Sequence, residues 1–167
     1  MRVLRYKKDM DRFREFYSNH KDKLFNYLMR ISGDYDLASD LMQESFTRYL
    51  EHYRRKPQRV SLLYTIARNA FFDNLRQRER QTSLNEEEAD QSKDQEQAYL
   101  VREEYRRVLS AMRHLENTEK ETLALVISGD LSYREIASIT GLSEANVKVK
   151  VHRARRKLKK LLYNGGE

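Results

Sequence analysis

Residues 132–158, SYREIASITGLSEANVKVKVHRARRKL, decide how this chain folds. The pattern predicts a short helix over Tyr133–Thr140, a turn over residues 141–143, and a longer helix from residue 144 to about residue 162. Ala137 is small where two helices would cross, Gly141 has the backbone freedom of a tight turn, and Ser143 can cap the second helix. Together these features predict a helix-turn-helix.

The longer helix is apolar on one side and densely basic on the other. Between Lys148 and Lys160 there are eight Lys or Arg and no Asp or Glu. At about 100° per residue, Val147, Val151, Ala154 and Leu158 share the apolar face. The opposite face carries Lys148, Val149, His152, Arg153 and Arg156, with Lys157, Lys159 and Lys160 placed for phosphates. A solvated basic helix is the plain alternative, but the helix and turn before it favour a DNA reader.

The composition indicates an all-α protein. Five glycines and one proline in 167 residues disfavour a turn-rich β fold. The absence of cysteine excludes disulfides and thiolate metal sites, and the four histidines show no ligand spacing, so no metal or cofactor is expected. Because no apolar run has the length of a membrane span and no signal-peptide core is visible, we expect a soluble intracellular protein.

The charge is unevenly distributed along the chain. Residues 1–80 carry 18 basic and 11 acidic side chains, residues 81–100 carry one and six, and residues 101–167 carry 14 and nine. Residues 81–97 contain one leucine and one alanine as their only apolar residues, which is too little to form a core. We therefore predict two small helical domains, at 1–80 and 99–167, joined by a flexible acidic linker at 81–98. The two basic domains suggest a polyanionic partner.

The N-terminal domain is predicted to contain four helices. One of them carries Asp40, Gln43, Glu44 and Arg48 opposite an apolar stripe, which the pattern alone explains as an ordinary amphipathic helix. A later helix carries Arg68, Asn69, Phe72 and Arg76 opposite its buried side, beside a basic loop of Tyr53, Arg54, Arg55 and Lys56. Phe72 either packs within the domain or faces unpaired bases, and both interpretations stay open. In the C-terminal domain, residues 118–121 have the spacing of a capping box.

Three segments together resemble one protein family. Residues 40–46, DLMQESF, look like the polymerase-binding helix of sigma factors. Residues 63–76, LYTIARNAFFDNLR, resemble the promoter-melting helix of the extracytoplasmic-function (ECF) subfamily of sigma factors, and residues 132–158 resemble its C-terminal DNA reader. The resemblance covers about residues 10–163, with the segments in the family's order.

The resemblance implies a bacterial transcription initiation factor with a region-two domain and a region-four domain. Asp40, Gln43, Glu44 and Arg48 would bind the clamp helices of the largest subunit of core RNA polymerase, and the C-terminal domain would contact the flap of the second-largest. The loop Tyr53, Arg54, Arg55 and Lys56 and the helix residues Arg68, Asn69, Phe72 and Arg76 would engage the minus-ten element as it melts. Lys148, Val149, Lys150, His152, Arg153 and Arg156 would read the minus-thirty-five element as duplex.

The same resemblance implies promoter DNA and an anti-sigma protein as partners, with no direct insertion into a membrane. It implies a cytoplasmic, nucleoid-associated protein, held near the membrane where an anti-sigma protein retains it. The alternative is a stand-alone helix-turn-helix repressor or activator, which binds paired half-sites without polymerase. No metal-ligand cluster, phosphate-binding glycine loop or nucleophile–base pair supports an enzyme.

Overall fold

The computed structural model describes residues 2–82 and 103–163, all of whose regular elements are α-helices. Three helices form an N-terminal bundle: α1 (Arg2–Ser32), α2 (Tyr35–Tyr53) and α3 (Val60–Thr82). Four helices form a C-terminal bundle: α4 (Glu103–Arg113), α5 (Asn117–Ser128), α6 (Tyr133–Thr140) and α7 (Glu144–Tyr163). The predicted all-α class is confirmed. Most of the predicted linker, residues 81–98, lies outside the described residues.

The N-terminal bundle has three described helices, so the prediction of four was wrong. Apolar residues follow one another at helical spacing from Phe13 to Ile31 without a breaking residue, and α1 therefore runs unbroken through 31 residues. The helix ends at Gly33, whose φ of 67° is a left-handed conformation that glycine adopts without steric cost. Asp34 then caps α2 by accepting a 2.9 Å hydrogen bond from the Leu37 amide.

Large aromatic and aliphatic side chains fill the N-terminal bundle. The Phe16 and Tyr49 rings stack with their centroids 5.0 Å apart, and Tyr27 and Tyr64 meet edge to face at 5.3 Å. The Tyr49 hydroxyl also accepts a 2.9 Å hydrogen bond from the Arg59 amide. This bond ties the loop between α2 and α3 to the core.

Helix α5 is the centre of the C-terminal bundle. Leu123, Ala124 and Leu125 follow one another and are all buried, which requires neighbours on every side of the helix. Those neighbours are α6 and α7 from its own bundle and α1 from the N-terminal bundle. The buried residues of both bundles consequently form one continuous cluster.

The predicted capping box over residues 118–121 was wrong. Helix α5 begins at Asn117 after Glu116, whose side chain makes no capping hydrogen bond, and Thr118 instead donates to the Glu116 carboxylate at 2.8 Å. Glu121 is drawn away from the helix start because its carboxylate is bonded to Arg68 of α3. A contact between the two bundles thus overrides the local signal.

Candidate nucleic-acid and polymerase interfaces

The helix-turn-helix of α6 and α7 is held by local hydrogen bonds. Ser132 and Glu135 form a capping box at the start of α6, with the Ser132 amide donating to the Glu135 carboxylate at 2.8 Å. Gly141 takes a φ of 74° in the turn, and Ser143 caps α7 by accepting from the Asn146 amide at 3.2 Å. These bonds fix the angle at which α7 leaves the turn, and the predicted turn and cap are confirmed.

The basic face of α7 points into solvent. Val147, Val151 and Ala154 are buried beneath it, as their spacing predicted. Val149, an apolar residue, keeps 44% of its surface exposed on this face. The predicted contacts Lys148, His152, Arg153 and Arg156 are all exposed on this helix. Further along the helix, a shallow pocket of about 250 Å³ is lined by Arg153, Arg156, Lys157 and Lys160.

Two lysines of α7 are already paired with carboxylates of the same bundle. Lys150 bonds both carboxylate oxygens of Glu116, at 3.0 and 3.1 Å. Lys157 donates at 2.7 Å to Glu119, which is almost fully buried. A hydrogen bond from Thr118 and the nearby Lys150 hold the pKa of Glu116 below its usual value. Lys150 and Lys157 therefore tie α7 to α5, in addition to the apolar packing.

The aromatic and basic face of α3 is only partly open to solvent. Asn69 and Arg76 are exposed, and Arg76 forms an ion pair with Asp73. The Arg68 guanidinium lies 4.7 Å from the centroid of the Phe72 ring, which is half-buried. Phe72 thus packs within the protein in this arrangement, against Arg68 and at 5.3 Å from the Phe71 ring.

The loop after α2 presents three exposed cations beside one aromatic ring. Arg54, Arg55 and Lys56 are exposed, while Tyr53 is half-buried. The Lys56 ammonium lies 5.4 Å from the Tyr53 ring centroid, and Arg54 lies 5.7 Å from the Tyr6 ring centroid. This composition suits a single-stranded or distorted nucleic acid.

The polar face of α2 forms a separate surface. Asp40, Gln43, Glu44 and Arg48 are all exposed on it, and Glu44 and Arg48 form an ion pair at 2.5 Å one helical turn apart. Leu41 and Phe46 are buried behind them. With two carboxylates and one guanidinium, the surface has no excess of positive charge, so it suits a protein partner better than a nucleic acid.

Sequence reasoning missed the charged groups that join the two bundles. Arg68 of α3 donates two hydrogen bonds to Glu121 of α5, with the longer joining Nη2 to Oε2 at 3.5 Å. Burial raises the pKa of Glu121, and the Arg68 guanidinium opposes that rise. Asp130 accepts from His20 at 3.0 Å and from Lys23 at 2.5 Å. Each pair joins residues more than 50 positions apart, so no short-range signal could have revealed them.

No group of three or more His, Asp or Glu side chains within residues 2–82 and 103–163 is placed to hold a metal ion. In that same part of the chain, every helix is too short or too polar to span a membrane.

Comparisons with known families match both bundles. The sigma-70 region 2 family matches residues 16–81, and the sigma-70 region 4 family matches residues 105–158. The ECF RNA polymerase sigma factor SigM of Bacillus subtilis is 33% identical over 162 residues, covering 91% of this chain and 95% of SigM. The ECF RNA polymerase sigma factor EcfG of Rhodopseudomonas palustris is 33% identical over 150 residues, covering 84% of this chain and 79% of EcfG.

The fold is also found in solved structures. The sigma factor RpoE from Bartonella quintana, crystallised in complex with the anti-sigma factor NepR, superposes with a TM-score of 0.73 at 22% identity, covering 90% of this chain and 96% of that one. A stand-alone repressor or activator is not favoured by any of these matches. The chain belongs to the ECF sigma factor family and directs RNA polymerase to promoters.

Proposed function

We propose that this sigma factor binds polymerase, the minus-ten element and the minus-thirty-five element through three different surfaces of the two bundles. The polar face of α2, made of Asp40, Gln43, Glu44 and Arg48, binds the clamp helices of the largest polymerase subunit. The face of α3 and the loop before it engage the minus-ten element during melting. The basic face of α7 reads the minus-thirty-five element as duplex. The N-terminal domain comprises residues 1–80 and the C-terminal domain residues 99–167. The C-terminal domain also contacts the flap of the second-largest polymerase subunit.

The single observation behind this division is the difference in chemistry between α2 and α7. On α2, Glu44 and Arg48 neutralise each other at 2.5 Å, and the face carries no excess of positive charge. On α7, the first half and middle of the helix expose Lys148, Arg153 and Arg156. The sequence from residue 148 to residue 160 contains no Asp or Glu. A polar face without excess positive charge fits a protein surface, whereas clustered cations release counterions when they bind phosphates.

The residues of the α7 face are of two kinds, those suited to contact base edges and those suited to contact phosphates. Arg153 can donate two hydrogen bonds to a guanine edge, and the exposed Val149 side chain can contact a thymine methyl. His152 and Lys148 flank them near the first two turns of the helix, which is the part that enters the major groove in helix-turn-helix proteins. Arg156 lies one turn further on and is assigned to phosphate. Lys150 joins this group once its bond to Glu116 is exchanged for DNA.

An anti-sigma protein is part of the proposal. RpoE from Bartonella quintana was crystallised with the anti-sigma factor NepR, and this chain shares its fold. We assign an anti-sigma partner to this chain by that analogy. The protein itself acts as an initiation factor without a catalytic step of its own, in the cytoplasm and at the nucleoid.

Upstream recognition is tested with Arg153→Ala. Loss of one bidentate base contact should weaken discrimination of the upstream element by about 1–3 kcal/mol, or roughly 5- to 150-fold. The measurement is run-off transcription with purified core polymerase on a promoter and on the same promoter with a scrambled upstream element. Core binding should stay unchanged. Equal activity of Arg153→Ala and wild type on both templates contradicts the assignment of α7.

Polymerase binding is tested with the double substitution Gln43→Ala and Glu44→Ala. Both side chains are exposed on α2, so the bundle should keep its stability while affinity for core polymerase falls at least tenfold. Affinity is measured by fluorescence anisotropy of labelled sigma factor. Thr47→Ala, on the same exposed side of α2, is the matched control for a change in helix surface. Tight binding of palindromic duplexes by the free chain, with no binding to core polymerase, is the outcome expected of a repressor and overturns the proposal.

A further inference from the structure

The first turns of α1 lie alongside the basic loop that follows α2. The Arg54 guanidinium lies 5.7 Å from the centroid of the Tyr6 ring, and the Gln58 side chain donates a 3.0 Å hydrogen bond to the main-chain carbonyl of Arg12. Tyr6 and Arg12 are separated by about 9 Å along the helix. Both ends of the loop are therefore attached to the same stretch of α1.

This stretch of α1 adds little to the core of the N-terminal bundle. From residue 6 onward, Phe16 is the first buried residue of α1, and the region 2 match also begins there. Tyr6 keeps 55% of its surface exposed, with its ring against Arg54. Packing of the bundle does not explain an aromatic ring at this exposed position, whereas contact with the loop does.

The loop holds two of its cations on aromatic rings. Arg54 lies on the Tyr6 ring, and the Lys56 ammonium lies 5.4 Å from the centroid of the Tyr53 ring. Both cations are exposed. The face of an aromatic ring attracts a cation through its quadrupole and carries no net charge that would neutralise it. Arg54 and Lys56 are therefore held in place and keep their full charge.

The basic face of α7 is built differently. Lys150 is bonded to the Glu116 carboxylate and Lys157 to the Glu119 carboxylate. A carboxylate cancels the charge of the cation that it holds, and it has to be displaced before that cation binds a phosphate. Two cations of α7 thus give up charge to pack against α5, whereas the cations held on rings do not.

A cation that is already held in place binds a phosphate at a lower entropic cost. A long arginine side chain loses rotamer freedom when a ligand immobilises it, and this loss weakens binding. Contact with Tyr6 restricts Arg54 before the strand arrives. Because the N–H groups of a guanidinium lie in its plane, contact with a ring leaves donors for a phosphate. Tyr6 can therefore order Arg54 without competing with its ligand.

We propose that Tyr6 is a positioning residue for the melted strand: its ring holds Arg54 beside the strand and leaves the guanidinium charged. This inference rests on the proposed assignment of the loop Tyr53, Arg54, Arg55 and Lys56 to the minus-ten element. The first turns of α1 thereby act together with this loop and α3 in binding the strand.

The first test is the affinity of holoenzyme for the labelled non-template strand of a promoter that it transcribes, measured by anisotropy. Tyr6→Leu removes the ring and should lower the affinity about two- to tenfold, the effect of ordering one long side chain. Tyr6→Phe keeps the ring and should bind as wild type does. Tyr163→Leu removes another exposed ring, at the end of α7, and is the matched control. Wild-type affinity of Tyr6→Leu overturns the proposal.

The second test is a double-mutant cycle between Tyr6→Leu and Arg54→Ala in the same assay. If Tyr6 acts through Arg54, Tyr6→Leu has no further effect once Arg54 is absent, so the two losses are not additive. Because Tyr6 is exposed, the urea midpoint of Tyr6→Leu should equal that of wild type, which separates lost affinity from lost folding. Additive losses show that Tyr6 acts independently of Arg54 and overturn its positioning role.

The third test separates the ordering of Arg54 from the retention of its charge. Tyr6→Glu lets a carboxylate hold Arg54, as Glu116 holds Lys150, and Tyr6→Gln is the uncharged counterpart. Tyr6→Glu should bind the strand more weakly than Tyr6→Gln. Its slope of log K against log salt should be shallower by about 0.7, the value of one phosphate contact with a single strand. Equal affinities and slopes for the two variants contradict the role of a charge-preserving ring.

These outcomes are distinct from failure of the proposed function. If Arg55→Ala and Lys56→Ala weaken strand binding while Tyr6→Leu does not, only the role of Tyr6 is wrong. If none of these three variants changes strand affinity, the assignment of the loop to the minus-ten element is wrong as well.

Discussion

At the scale of single residues, burial decides which groups can act. The Tyr64 hydroxyl group is removed from water between the bundles, and that burial raises the pKa of Tyr64 to about 12. Tyr27 shifts in the same direction, because of burial first and the charge of Glu121 second. A buried phenol strongly favours its neutral form. Both tyrosines therefore add stability to the folded chain only while they keep their protons.

Alkaline stability follows from the raised pKa of Tyr64. In the unfolded chain this phenol loses its proton near pH 10, whereas in the folded chain it keeps it to about pH 12. The unfolded state is therefore favoured as pH rises above 10, and the loss is complete above about 12, with an upper bound of about 3 kcal/mol for this group. Urea unfolding followed by circular dichroism at pH 8 and pH 11 measures it. Tyr64→Phe should show a smaller loss, and an equal loss in both proteins contradicts the expectation.

At the scale of helices, the periodicity of apolar residues was sufficient to predict which side of α7 is buried and which is exposed. The stripe from Val147 to Leu158 predicted which side of α7 is buried, because a helix against a core repeats its apolar residues every three or four positions. The turn at Gly141 was equally readable, since few residues adopt its φ. The start of α5 was not, because a capping signal at Thr118 competes with ion pairs to Lys150 and Arg68 that depend on distant residues.

The pairing of α7 with α5 should limit how many cations of α7 reach DNA. Glu116→Gln removes the partner of Lys150, which leaves that ammonium free to bind phosphate. We expect affinity for an upstream-element duplex to rise a few-fold and the slope of log K against log salt to steepen by about 0.9. Anisotropy titrations between 50 and about 200 mM salt measure both.

Glu51→Gln is the control for the Glu116→Gln experiment. It removes an exposed carboxylate from α2, away from the duplex-reading face. It should leave both affinity and slope unchanged. A Glu116→Gln protein with the wild-type slope indicates that Lys150 contributes nothing to phosphate binding or contributes fully despite its partner.

At the scale of the whole molecule, the two bundles share one core. The order of the helices and the family of each half were predictable, because each half carries its own motif. Their packing was not predictable: the Asp130–His20 bond spans 110 positions, and neither residue stands in a recognisable motif. One sequence feature did indicate it. Leu123, Ala124 and Leu125 of α5 are consecutive apolar residues, and three such residues are all buried only if a helix has neighbours on every side, which four short helices alone do not provide.

Because the two bundles share a core, a substitution that destabilises one bundle should also lower the unfolding midpoint of the other. Leu24→Ala in α1 removes a fully buried side chain and should cost about 2–5 kcal/mol. The chain has no tryptophan, so Tyr133→Trp provides a fluorescent reporter confined to the C-terminal bundle. The urea midpoint seen by that reporter should fall when Leu24→Ala is added. A reporter midpoint that does not move would show that the bundles unfold independently.

The length of α1 has a consequence for engineering hybrids. This one helix packs against α2 and α3 on one flank and against α5 on another, so it belongs structurally to both halves. A chimera that joins this N-terminal half to another relative's C-terminal half inherits only one side of that shared interface. Such a hybrid keeps the polar contacts of Arg68, His20 and Lys23 only where the donor carries carboxylates at the positions of Glu121 and Asp130.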